Sequence, residues 1–95
     1  AYGSDIDHVI ATLEKVAADH EEICTNPAPR VRFRQFGDSS LDFELLCWID
    51  RPVDRGRLHH ELGVNVYKAF AAADIQIPFP QRDLHVRTMP DASQG

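Results

Sequence analysis

From Leu41 to Asp50 the chain alternates: Leu41, Phe43, Leu45, Cys47 and Ile49 occupy the odd positions, and Asp42, Glu44, Leu46, Trp48 and Asp50 the even ones. Side chains on a strand point to opposite faces in turn, so five apolar residues at period two define a strand with one face fully buried. The even face opens acidic and turns apolar at Leu46 and Trp48, so its second half is expected to meet protein and not water. Just upstream, Val31, Phe33 and Gln35 alternate with Arg30, Arg32 and Arg34. Gly37-Asp38-Ser39-Ser40 lies between the two runs and is rich in residues that tolerate turn dihedrals or bond their own backbone. The pattern predicts a hairpin. Its outer arginines fall opposite Asp42 and Glu44, and each such cross-strand pair contributes only about 0.2 to 1 kcal/mol.

Two helices flank the hairpin. Ser4 and Asp7 form a variant capping box, and Ile6, Val9, Ile10, Leu13, Val16 and Ala17 then recur on one narrow stripe until the pattern fades near Asp19 or His20. Thr25-Asn26-Pro27-Ala28-Pro29 is a stiff linker, because each proline fixes its own φ and restricts the residue before it. After the break at Asp50-Arg51-Pro52, Asp54 is placed to cap a second helix running to about Ala73. Leu58, Leu62, Val66, Ala69, Phe70 and Ala73 form its core stripe, and His60, Val64, Tyr67 and Ala71 a weaker one round the other side. Gly63 interrupts the helix, where it costs about 1 kcal/mol relative to alanine. Ile75 to Pro80 holds too many prolines for an interior strand, and Asp83 to Arg87 reads as a short one. The domain is expected to span residues 1–88, with 89–95 as a tail.

The order helix, strand, strand, helix, strand is an α+β arrangement, a ferredoxin-like α/β sandwich lacking its first strand. In the complete β-α-β-β-α-β pattern the first strand lies between the third and the fourth. One edge of Leu41–Asp50 is therefore expected to lack a full-length partner, which favours pairing with a second copy through that edge.

A chain of 95 residues carries one domain. Its net charge of −5, with arginines interleaved among carboxylates, argues against a nucleic-acid partner. No run approaches the apolar length of a membrane span, and Cys24 and Cys47 read as reduced thiols. Chemistry-bearing patterns are weak. Gly37-Asp38-Ser39 with Asp5-Ile6-Asp7-His8 has the composition of a GDS-type esterase. However, the serine falls in a hairpin, without the strand-to-helix turn it needs, and the Asp-x-x-His block precedes it. Asp38 and Asp42 could pair for acid-base work, though turn residues serve solubility more often. His59 and His60 point about 100° apart on a helix, and no C-x-x-C or H-x-x-x-H is present. No catalytic residue, metal site or cofactor is expected.

Three blocks carry a resemblance: Ala1-Tyr2-Gly3-Ser4-Asp5; Phe36-Gly37-Asp38-Ser39-Ser40-Leu41-Asp42-Phe43-Glu44-Leu45; and Ile77-Pro78-Phe79-Pro80-Gln81-Arg82-Asp83. In order and spacing they resemble the C-terminal cytoplasmic domain of small-conductance mechanosensitive (MscS-like) ion channels. The resemblance implies a domain of a homo-heptameric bacterial inner-membrane channel that opens under tension and relieves osmotic stress. Its partners would be other copies of itself and the transmembrane and β domains of the same channel. This α/β domain would face the cytoplasm, be soluble in isolation, and wall a hollow cage, with Leu84 to Thr88 entering a small barrel at its base. The preceding strand and the pore helices are absent from this sequence, so the chain is not expected to conduct by itself. Leu46, Trp48, His60, Val64, Tyr67, Ala71 and Phe79 are the expected subunit or domain contacts, with Phe79 anchoring a rigid Pro78-Phe79-Pro80 connector that aims the last strand away from the second helix. The alternative is a ferredoxin-like small-molecule-sensing regulatory domain.

Overall fold

A computed structural model describes residues 6–36 and 40–89. Helix α1 spans Ile6–Asp19, strand β1 Arg30–Phe36, strand β2 Ser40–Ile49, helix α2 Arg55–Ala72 and strand β3 Leu84–Thr88. Single 3-10 turns at Pro52–Asp54 and Gln81–Asp83 precede α2 and β3. This is the expected α+β order, with the ferredoxin-like layering of two helices on a three-stranded sheet. The Ser4 cap and the 37–39 turn lie outside the described residues, as does the tail beyond Met89.

Strand β2 sits in the centre of the sheet, in the order β1-β2-β3. It pairs antiparallel with β1, with Phe33 opposite Phe43 and Arg32 opposite Glu44, as the alternation requires. Phe43, Leu45, Cys47 and Ile49 are all buried, and they form one cluster with Val9, Leu13, Val16 and Ala17 of α1 and Leu58, Leu62, Val66 and Phe70 of α2. Both helices therefore cover the same face of the sheet. The rings of Phe33 and Phe43 meet at 4.9 Å across the hairpin.

Strand β3 departs from expectation. It pairs parallel to β2 over Leu45–Ile49, and Leu84 and Val86 enter the core at 3% and 6% exposure. A parallel neighbour requires a crossover, and α2 provides it. The five residues of β3 complete only the second half of β2, taking the place next to β2 that a first strand would occupy. The connector does not aim this strand away from α2. Nε2 of His59, on α2, lies 3.0 Å from the Leu84 carbonyl and 3.1 Å from that of Gln81; since carbonyls only accept, that nitrogen carries the proton and donates to them. Burying two aliphatic side chains and satisfying this pair outweighs leaving the strand in solvent, so Leu84 to Thr88 forms a strand of this sheet, where the resemblance implied a strand entering a small barrel.

The end of α2 explains the direction of the connector. Asp74 adopts φ 57°, its amide donates to Ala71 O at 3.2 Å, and the Ile75 amide donates to Phe70 O at 2.8 Å. This is a Schellman termination with Asp in the left-handed position usually held by glycine. It turns Ile75, Ile77 and Phe79 back against the core, where Phe79 packs edge-on to Phe70 at 6.0 Å. Phe79 therefore anchors the connector as expected.

Phe43→Ala should cost about 3 to 5 kcal/mol and Leu84→Ala about 2 to 5, while Glu44→Ala on the other face should cost under about 1. Urea unfolding would measure all three. A loss at Leu84 no larger than at Glu44 would mean that β3 does not belong to the core.

Candidate functional site

The open face of the sheet is built from the residues that alternate with the core. Glu44 lies 3.7 Å from Arg32 on β1 and 3.7 Å from His85 on β3, so charge at this end is matched across strands. Further along, Leu46 has Arg30 and His85 as its two neighbours, and Trp48 has Arg87. Leu46 and Trp48 are half-buried there, whereas Arg30 and Arg87 are exposed. Neither helix reaches this side. Just beyond Asp42 and Glu44, Asp83 has its carboxyl pushed above its ordinary value, first by burial and then by the charge of Asp42.

The second expected surface is the outer stripe of α2. His60, Tyr67 and Ala71 are exposed, and Val64 is 37% and Tyr67 77% exposed. Tyr67 and Ala71 border a groove of about 440 Å³ between α2 and the returning connector, closed by Ile75, Ile77 and Phe79. Gly63 lies on its rim, and a Cβ added there would meet nothing within 4 Å. Close packing therefore does not account for this glycine. The structure thus joins Phe79 to Tyr67 and Ala71 but leaves Leu46 and Trp48 on the opposite side of the molecule. The seven expected contact residues form two surfaces.

A polar cluster that the sequence patterns did not single out links the loop after α1 to α2. Arg57 donates from both terminal nitrogens to Glu22 at 2.8 Å, and it also reaches Glu61 at 3.2 Å and Asp54 at 3.4 Å. The Asp54 carboxylate makes no cap bond to the helix backbone and pairs with arginine side chains instead. The Glu22 amide donates to His20 Nδ1 at 3.2 Å, so His20 carries its proton on Nε2 and donates it to Glu61 at 2.8 Å. Arg57 and Glu61 are an i,i+4 pair readable from sequence; Glu22 and His20 arrive only through the fold.

His20, Glu22 and Glu61 bring ligand atoms within 4.8 Å of one another, the spacing of a metal site. The donor set does not fit one. A metal at Nε2 needs the opposite tautomer from the one the Glu22 amide enforces, and a guanidinium already occupies both carboxylates. The cluster is an ion-pair clasp between α1's exit and α2. The hydrogen bond from Arg57 holds Glu22 below the ordinary carboxylate range, and that from His20 does the same for Glu61.

Of the esterase block, Asp5 and 37–39 fall outside the described residues. Asp42 is half-buried opposite Arg34, and its expected companion Asp38 lies outside the described residues. Cys47 is buried and its thiol is pushed up to about 12 by desolvation, while Cys24 is half-buried and raised for the same reason, with Asp50 nearby. Neither thiol has the electropositive setting of a nucleophile. None of the described helices is long and apolar enough to cross a membrane.

Residues 1–77 match the family described as mechanosensitive ion channel MscS, C-terminal. The chain belongs to this family. It is 39% identical over 85 residues to an MscS family protein of Synechocystis, covering 90% of this chain and 28% of that protein. It is 37% identical over 86 residues to the mechanosensitive channel MscK of Escherichia coli, covering 90% of this chain but 8% of that one. A small-conductance mechanosensitive channel of Edwardsiella ictaluri is 34% identical over 86 residues, or 90% and 30% of the two chains. The chain thus spans less than a third of these relatives. No solved structure matches it. Strand β3 lies beyond the matched residues, yet its side chains complete the same core.

Two measurements check this description. Both clasp carboxyls have folded pKa values below their unfolded ones, so they stabilise the fold above the ordinary carboxylate range and lose that contribution as pH falls through the folded values. Arg57→Ala should therefore be less stable than the parent chain at neutral pH, and the gap should narrow as pH falls through the ordinary carboxylate range and close below it. A gap that persists unchanged in acid would mean that the arginine acts through packing alone. Gly63→Ala should stabilise the chain by about 1 kcal/mol, because helix propensity improves and nothing obstructs the methyl; destabilisation in thermal unfolding would contradict the open rim.

Proposed function

We propose that this chain is the cytoplasmic cage and assembly domain of a tension-gated bacterial mechanosensitive channel, structural in role and without catalytic activity of its own. Family membership across residues 1–77 carries the reading, because the named relatives are mechanosensitive channels. The domain runs over 1–88, faces the cytoplasm beneath the inner membrane, and works as one unit of a homo-oligomer, a heptamer in the intact channel. Its partners are neighbouring copies and the transmembrane and β domains of the same protein.

Two features of the structure support a building-block role. Apolar side chains reach the surface on both sides of the molecule, half-buried Leu46 and Trp48 on the sheet and exposed Val64 and Tyr67 on α2. Between them lies one core built from both helices and the sheet.

The test is a graft. The chain replaces the matching C-terminal segment of E. coli MscK in cells lacking their other tension-gated channels. The hybrid is expected to assemble in the membrane, conduct under patch suction, and rescue the cells from hypo-osmotic shock. A hybrid that reaches the membrane as folded, dispersed single chains would overturn the assembly role.

A further inference from the structure

The open sheet face and the outer face of α1 lie on opposite sides of this two-layer molecule, and their charges are complementary. On the sheet, Arg30 and Arg87 flank Leu46 and Trp48, and neither arginine has an ion-pair partner among the described residues. On α1, residues 7, 11, 14 and 18 follow four-three-four spacing, which makes one stripe along the helix. They are Asp7, Ala11, Glu14 and Ala18, all exposed, and the two carboxylates likewise have no ion-pair partner among the described residues. The stripe is acidic and flat, since alanine lets a neighbouring surface come close to the helix backbone.

The dimensions agree. Arg30 and Arg87 are separated by two strand spacings and two residues, about 12 Å between Cα atoms at standard sheet geometry. Asp7 and Glu14 are seven residues apart on a helix, about 10.5 Å. Long arginine side chains readily absorb the difference, and Leu46 and Trp48, which lie between the arginines, then rest over Ala11, which lies between the two carboxylates.

We infer that the Arg30–Leu46–Trp48–Arg87 face docks onto the Asp7–Ala11–Glu14–Ala18 stripe of a second copy of this chain. This rests on the reading that copies of the chain assemble, and it names the surfaces that meet. Because the two surfaces lie on opposite sides of one molecule, the contact is head-to-tail, and each docked copy leaves one free surface of each kind. Such a contact propagates around a ring or along a filament. Pairing with a second copy through the edge of β2, expected from the sequence, would give a two-fold dimer that satisfies only itself, and β3 already occupies half of that edge.

Analytical ultracentrifugation of the chain at low and high salt tests this, with circular dichroism to confirm folding of every variant. The parent chain should associate with concentration at low salt and dissociate as salt rises, because the contact is charge-steered. Arg30→Glu with Arg87→Glu, and separately Asp7→Lys with Glu14→Lys, should each weaken association by at least about tenfold. The fourfold variant carrying both reversals should regain it. A parent chain that stays monomeric at low salt overturns the contact, whereas the graft experiment judges the channel role by itself. Reversed variants that associate like the parent would also overturn it, placing assembly on other surfaces while leaving homo-oligomerisation standing.

Discussion

Burial of one face of β2 is the constraint that everything else in this domain serves. Phe43, Leu45, Cys47 and Ile49 present four side chains that water disfavours, all on one side of the central strand. At roughly 25 cal/mol per Å² of apolar surface removed from water, covering them is the largest single gain open to so short a chain. A strand covers nothing alone. The antiparallel partner β1 extends the apolar surface through Phe33, β3 extends it through Leu84 and Val86, and both helices lie across it. The polar devices hold these elements in place. The Schellman turn at Asp74 sends the chain back along α2, His59 fixes the start of β3, and the Arg57 clasp fastens α1's exit to α2.

The same constraint creates the molecule's two outward characters. Period-two alternation means that a face fully committed to the core leaves its alternate residues on the other side. Those residues cannot all be charged without weakening the strand, and here the mixture changes along its length, from Asp42 and Glu44 to Leu46 and Trp48. Matched charges at one end hold neighbouring strands in register. Apolar residues flanked by arginines at the other end are costly for a lone chain, and in the proposed contact between copies they would be covered. The outer face of α1 is shaped by a different rule. Its narrow buried stripe leaves most of the helix to solvent, and small and acidic residues share what remains.

Membership in the mechanosensitive channel family joins these observations to a setting without altering the physics. In the proposed assembly role, the module would have to be stable by itself and present complementary surfaces on opposite sides. The clasp contributes to the first requirement. One guanidinium there ties three carboxylates, Glu22, Asp54 and Glu61, to a single side chain.

Local periodicity determined β1, β2, α1 and α2, with ends within a residue or two of the structure, because each pattern follows from where a side chain must point in that element. The face of β2 that is buried, the interruption at the prolines and the exposed stripe of α2 follow from the same geometry. The order of elements and the three sequence blocks also indicated the fold class and the family. The position of β3 was decided by tertiary structure. Alternation of Leu84 and Val86 shows that a strand forms, but not which neighbour it joins, and the place beside β2 was won by core burial together with the His59 bonds. The clasp was equally hidden, because Glu22 and Arg57 are separated by 35 residues and meet only when α1 and α2 pack on one sheet face. Spacing along a chain encodes what one element exposes. Which exposed groups meet depends on how the elements are stacked, and that is settled by the shared core.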